Sequence, residues 1–153
     1  SITGNYIICE GDPTILTASG ALSYSWCNGT SGAMTTVSPQ SDTSYFVTAI
    51  DANNCTNTDT VYITVNPKPV ILLSGVSVIC EGETTLLSAS GGTNYQWDNG
   101  ETQNIVSYSP IVSSIVTVNV IDQNNCSNSK SMNITVNPSP QAELEDNIIY
   151  LFL

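Results

Sequence analysis

The chain contains no arginine and no histidine, and only two lysines, Lys68 and Lys130, against 13 carboxylates. Its formal net charge is −11. Two lysines cannot build a basic face that neutralises phosphates, so nucleic-acid binding is excluded, and attraction to anionic membrane surfaces is excluded with it. The missing histidine removes the commonest general base and transition-metal ligand. The missing arginine removes the usual clamp for phosphate or carboxylate substrates. An ordinary enzyme is not expected from this set, and neither is a cofactor. Long apolar runs are lacking too. No stretch of about 20 apolar residues could span a bilayer as a helix, so no membrane insertion is expected, and the opening "SITGNYII" has no basic leader segment.

What is present is said twice. "ICEGDPTILTASG" from Ile8 returns as "ICEGETTLLSASG" from Ile79, an offset of 71 that holds without a gap through Tyr24 and Tyr95, Trp26 and Trp97, Asp51 and Asp122, and Cys55 and Cys126. It ends on "ITVNPKP" and "ITVNPSP". A period this long exceeds that of a solenoid, so each copy is expected to be a small domain. The expected division is a first module over 1–67, a second over 68–138, and 139–153 as the start of a further module or an exposed apolar strand. By the same offset Ser1–Gly4 falls on Leu72–Gly75, so the first copy is expected to begin partway through a strand.

Short β-branched runs separated by Gly, Asn, Ser and Pro clusters predict an all-β fold, and no segment has a useful helical period. In the second copy strands are expected near 70–74, 85–90, 94–98, 104–109, 115–121 and 131–136. "NG" at 28–29 and 99–100 marks a tight turn after each tryptophan strand. Trp26 and Trp97 read as core aromatics, with a sugar-stacking platform as the competing reading. "VNPKPV" and "VNPSPQ" are short semi-rigid joints, because proline fixes φ and holds its predecessor extended. Modules joined in this way are expected end to end as a rod, at roughly 30–40 Å each.

Five cysteines in a chain with only 10% charged residues suggest small cores held by disulfides in an oxidising compartment. Within each copy the two recurring cysteines are 46 positions apart, so a self-contained module would pair Cys9 with Cys55 and Cys80 with Cys126. Cys27, whose counterpart is Asp98, is left as a free or intermolecular thiol.

Asp51 with Asn53, and Asp122 with Asn124, offer oxygens of the kind that calcium uses. The competing reading is a turn in which these side chains bond their own backbone. Glu10 with Asp12, and Glu81 with Glu83, read as solvated charge. The apolar "NIIYLFL" at 147–153 suggests a strand able to complete a neighbouring subunit, or the edge of a further module.

The combined pattern C-E-G-x-x-T-x-L-x-A-S-G, Y-x-W-x-N-G, I-D-x-N-N-C and I-T-V-N-P resembles the immunoglobulin-like or PKD-like repeats of large Bacteroidetes surface proteins. These include gliding-motility adhesins of the SprB type and other substrates of the type IX secretion system. The resemblance covers 1–140 and implies tandem Ig-like β-sandwich modules acting as a spacer in an extracellular, cell-surface stalk. It also implies O-glycosylation at Asp59-Thr60-Val61, where the second copy instead has Lys130-Ser131-Met132. The expected partners are neighbouring modules of the same or identical chains. A filament assembled by strand exchange and a module that binds surface glycans stand as rival functions.

Overall fold

The computed structural model describes residues 1–140, and all described regular structure is β-strand. The first copy supplies β1 (Ile2–Thr3), β2 (Ile7–Cys9), β3 (Thr14–Ala18), β4 (Ser23–Trp26), β5 (Met34–Val37), β6 (Thr43–Ile50) and β7 (Thr56–Asn66). The second supplies β8 (Leu72–Gly75), β9 (Val78–Cys80), β10 (Thr85–Ser90), β11 (Asn94–Trp97), β12 (Ile105–Tyr108), β13 (Ser114–Ile121) and β14 (Ser127–Asn137). Among the described residues, strands pair only within their own copy. The first copy forms the sheets β1-β3-β5 and β2-β7-β6-β4, and the second repeats both orders as β8-β10-β12 and β9-β14-β13-β11.

The first copy is a sandwich because its strands bury every second residue. Leu16 and Ala18 of β3 and Val37 of β5 meet Trp26, Val47, Val61 and Ile63 of the facing sheet in one core cluster. In the second copy the equivalent Leu87, Ala89, Trp97, Val118 and Ile134 are buried as well. The NG turns close as expected: the Gly29 and Gly100 amides donate to the carbonyls of Trp26 and Trp97, with both glycines at positive φ.

The strand missing from the sequence reading is β9. "VIC" is too short to show a period, and it is held by parallel pairing with β14, as β2 is with β7. In register, Cys9 lies opposite Asn66 and Cys80 opposite Asn137.

The described chain forms two compact units. One comprises Ser1–Ile71 with Gly91–Asn94 and Val120–Asn128; the other comprises Leu72–Ser90, Tyr95–Asn119 and, of the described residues, those from 129 to 140. The first unit therefore takes in a strip of the second copy that carries Gly91, Val120 and Cys126.

Candidate functional site: the cysteine turns

Each copy carries two cysteine turns. In the first kind, the residue after the cysteine donates back to the end of the long strand: the Glu10 amide to the Asn66 carbonyl at 2.9 Å, and the Glu81 amide to that of Asn137 at 2.9 Å. The turn then closes on the cysteine carbonyl, from Asp12 N at 2.9 Å and from Glu83 N at 3.0 Å. Gly11 and Gly82 hold the positive φ that the turn needs. Lys68 pairs with Asp12 at 3.2 Å, while Glu83 accepts from the Cys80 amide at 2.8 Å. Asp12 thus pairs with the lysine of the joint between the copies, and Glu83 serves its own turn.

The second kind is the D-x-N-N-C turn. Asp51 Oδ1 accepts from Asn53 N at 2.8 Å and Cys55 N at 2.9 Å, and Asp122 Oδ1 accepts from Asn124 N and Cys126 N at the same distances. Asn54 and Asn125 sit at φ 60° and 61°, in the left-handed region that asparagine tolerates. One oxygen of each aspartate is thereby committed to backbone amides. Among the described residues, no group of three or more acidic, cysteine or histidine side chains converges on a metal position.

The disulfide pairing expected within each module is corrected by the structure. Cys9 is bonded to Cys126, with Cα atoms 5.5 Å apart and a sequence separation of 117, while Cys27, Cys55 and Cys80 are free and exposed. The reason lies in β7. Cys55 immediately precedes this 11-residue strand, and Cys9 is registered against its last residue, Asn66. The two cysteines of one copy stand at opposite ends of a strand about 35 Å long, several times the reach of a disulfide. Cys80 and Cys126 are separated by β14 in the same way. Both bonded cysteines belong to the first compact unit, where Cys126 is 0% exposed and its sulfur lies 3.9 Å from the Asn66 carbonyl. Sequence reasoning found all four recurring cysteines but missed their partners. The unbroken run "TNTDTVYITVN" signals the length of β7, yet nothing in the sequence signals the parallel seat of β2.

Cys27 lies at the end of β4, where its amide donates to the Phe46 carbonyl at 3.0 Å and its sulfur accepts from the Phe46 amide at 3.4 Å. Trp26 and Trp97 are only 3% and 1% exposed, and their indole N–H groups donate to the carbonyls of Gly32 and Gln103. Neither ring offers a face to a sugar. Thr60 is exposed on β7 with its amide bonded to Asp59 Oδ1. The apolar segment 147–153 lies outside the described residues.

No family model matches the chain, and no curated protein matches it. Among solved structures it is similar to three N-terminal domains of the highly immunogenic outer capsid protein Hoc of bacteriophage RB49. That likeness has 19% identity and a TM-score of 0.45, and covers 89% of this chain and 58% of that one. Murine CEACAM1b is similar at 13% identity over 89% of this chain and 100% of that one, with a TM-score of 0.35. A Ca2+-stabilized adhesin that helps an Antarctic bacterium bind ice is similar at 17% identity over 93% and 50%, with a TM-score of 0.37. The chain thus spans a little over half of the Hoc structure.

Proposed function

We propose that this chain is a segment of a non-enzymatic extracellular spacer, a run of Ig-like repeats that keeps its length under tension at a cell surface. The observation that carries the reading is the Cys9–Cys126 bond. It closes a loop over 117 residues, so tension entering before Cys9 and leaving after Cys126 crosses the sulfur pair and bypasses β3 through β13. Those strands cannot be drawn out while the bond holds. A bond of this kind persists in oxidising compartments, which supports an extracellular location. The repeat pattern's resemblance to Bacteroidetes adhesin repeats supports a cell-surface parent exported by the type IX system, gliding adhesins among them. The absence of arginine and histidine supports a role without catalysis.

Pulling single molecules from their two ends tests the reading. The oxidised chain is expected to resist extension, and reductant is expected to release roughly 400 Å of additional contour, about 3.3–3.6 Å for each residue in the loop. An oxidised chain that already extends to its full contour overturns the proposal.

A further inference from the structure

We infer that Asn99 is a site of spontaneous covalent modification, at which the backbone nitrogen of Gly100 displaces the side-chain amide. The equivalent Asn28 is held back by a hydrogen bond that the second copy lacks. The inference goes beyond the spacer reading and does not rest on it.

The two NG turns share one frame. The Gly29 and Gly100 amides donate to the carbonyls of Trp26 and Trp97 at 2.9 and 3.0 Å, and the Trp26 and Trp97 amides donate to the carbonyls of Thr30 and Glu101 at 2.8 Å in both copies. Each asparagine precedes a glycine at positive φ, 85° and 90°. Lacking a side chain, that glycine leaves its nitrogen open to the neighbouring carboxamide, and the position of a Cβ on either one has nothing within 4 Å. Both asparagines and both glycines are exposed, so water reaches them. The carboxamide oxygens are matched as well: Asn28 Oδ1 accepts from the Thr30 amide and Asn99 Oδ1 from the Glu101 amide, each at 3.1 Å.

The copies part at the carboxamide nitrogen. Asn28 Nδ2 donates to Thr35 Oγ1 at 2.9 Å, and that hydroxyl, buried on β5, donates on to Thr30 Oγ1 at 3.2 Å. The offset of 71 puts Val106 in the place of Thr35. Val106 is equally buried, but its methyl groups accept no hydrogen bond, and among the described residues Asn99 Nδ2 has no acceptor.

In the reaction the Gly100 nitrogen loses its proton to hydroxide and attacks Asn99 Cγ. The new N–Cγ bond closes a five-membered imide, the Cγ–Nδ2 bond breaks, and ammonia leaves. Water then opens the imide at either carbonyl to give aspartate or isoaspartate. One amide and one water thus become one carboxylate and one ammonium ion. The turn must open for the attack, because the Gly100 amide is engaged with the Trp97 carbonyl. Freeing Asn28 breaks one hydrogen bond more, which slows it by roughly 3–10-fold.

The product bears on the fold. Isoaspartate adds a methylene to the backbone of the turn that follows β11, and the new carboxylate stands between Asp98 and Glu101 in a chain already at −11. The Trp97 turn is therefore the one that loosens with age.

The test holds the full chain folded in warm, mildly alkaline buffer and follows both asparagines by acid digestion and mass spectrometry. The same mapping on the urea-denatured chain gives the rate of each asparagine without the fold. Relative to those rates, Asn99 is expected to convert roughly 3–10-fold faster than Asn28. Thr35→Val is expected to bring Asn28 up to Asn99, and Val106→Thr to slow Asn99. Equal relative rates in the folded parent, a faster Asn28, no conversion at Asn99, or an Asn28 that Thr35→Val leaves unmoved would each overturn the inference. Unchanged tryptophan emission shows that both variants remain folded. The pulling experiment reads the disulfide loop alone, so either proposal can fail without the other.

Discussion

Cys27 and Asp98 occupy one position in the two copies and accept the same hydrogen bond: the Phe46 amide donates to Cys27 Sγ at 3.4 Å, and the Thr117 amide to Asp98 Oδ2 at 2.8 Å. Both residues also donate their own amide to the carbonyl of that partner, at 3.0 Å in each case. The sulfur is the weaker acceptor. Cys27→Asp is therefore expected to stabilise the chain by about 0.5 kcal/mol, a rise in Tm of roughly 1–2 °C in a thermal melt. A fall in Tm would show that the thiol has a role that the carboxylate cannot fill.

Breaking the bridge has the largest expected effect. A loop this long constrains the unfolded chain by about 4–5 kcal/mol in the chain-entropy model. Cys9→Ser, or reduction of the parent, is expected to lower Tm by more than ten degrees or so. Cys55→Ser and Cys80→Ser, at exposed free thiols, are expected to leave it unchanged in an isolated copy. Equal melts for Cys9→Ser and Cys80→Ser would contradict the pairing.

The two D-x-N-N-C turns should respond unequally to the same change. Asp122→Ala strands the amides of Asn124 and of buried Cys126, at a cost of about 2 kcal/mol, whereas Asp51→Ala releases amides at an exposed turn where water replaces the carboxylate. Chemical denaturation of both variants checks the order.

Tyr62 supplies a pH signature. Its hydroxyl donates to Asp42 Oδ2 at 3.0 Å, and this bond, with smaller contributions from burial and from the carboxylate's charge, raises its pKa above the usual 10.0. The folded chain thus holds that proton more tightly than the unfolded one. The contribution is fully present below about pH 10 and is lost as pH rises through the folded pKa. Besides Tyr45, whose pKa burial and then Cys27 also raise, ultraviolet titration is expected to show one late tyrosine that moves back toward the ordinary range in Asp42→Asn. An unchanged titration in that variant would assign the late tyrosine elsewhere.

Truncating either core tryptophan is expected to cost about 3–5 kcal/mol. Trp97→Phe isolates the polar share, since it keeps most of the ring volume but leaves the Gln103 carbonyl without its donor. Parent emission is expected to be that of buried indole and to stay unmoved by added glycans.

Much of this could be read from composition and period. The run "TLLSAS" at 85–90 became β10 at those bounds, because alternate residues of one short segment must face one core. The strand expected over 131–136 runs from 127 to 137, since its polar, exposed beginning "SNSK" continues the ladder without burying anything. The expected disulfides failed for a different reason. Self-sufficiency of a module is an argument about economy, whereas a disulfide is decided by distance.

The sequence by itself determined the number of repeats, their all-β character, the core tryptophans, and the turns that carry each cysteine. These depend on side-chain period and local backbone preference, which act over a few residues. Only the tertiary structure decided which cysteines meet. Parallel pairing of β2 with β7 sends Cys9 to the far end of that strand from Cys55, and the contacts of the first compact unit bring it to Cys126. That outcome depends on strand order and strand length together, which no stretch of the chain encodes locally.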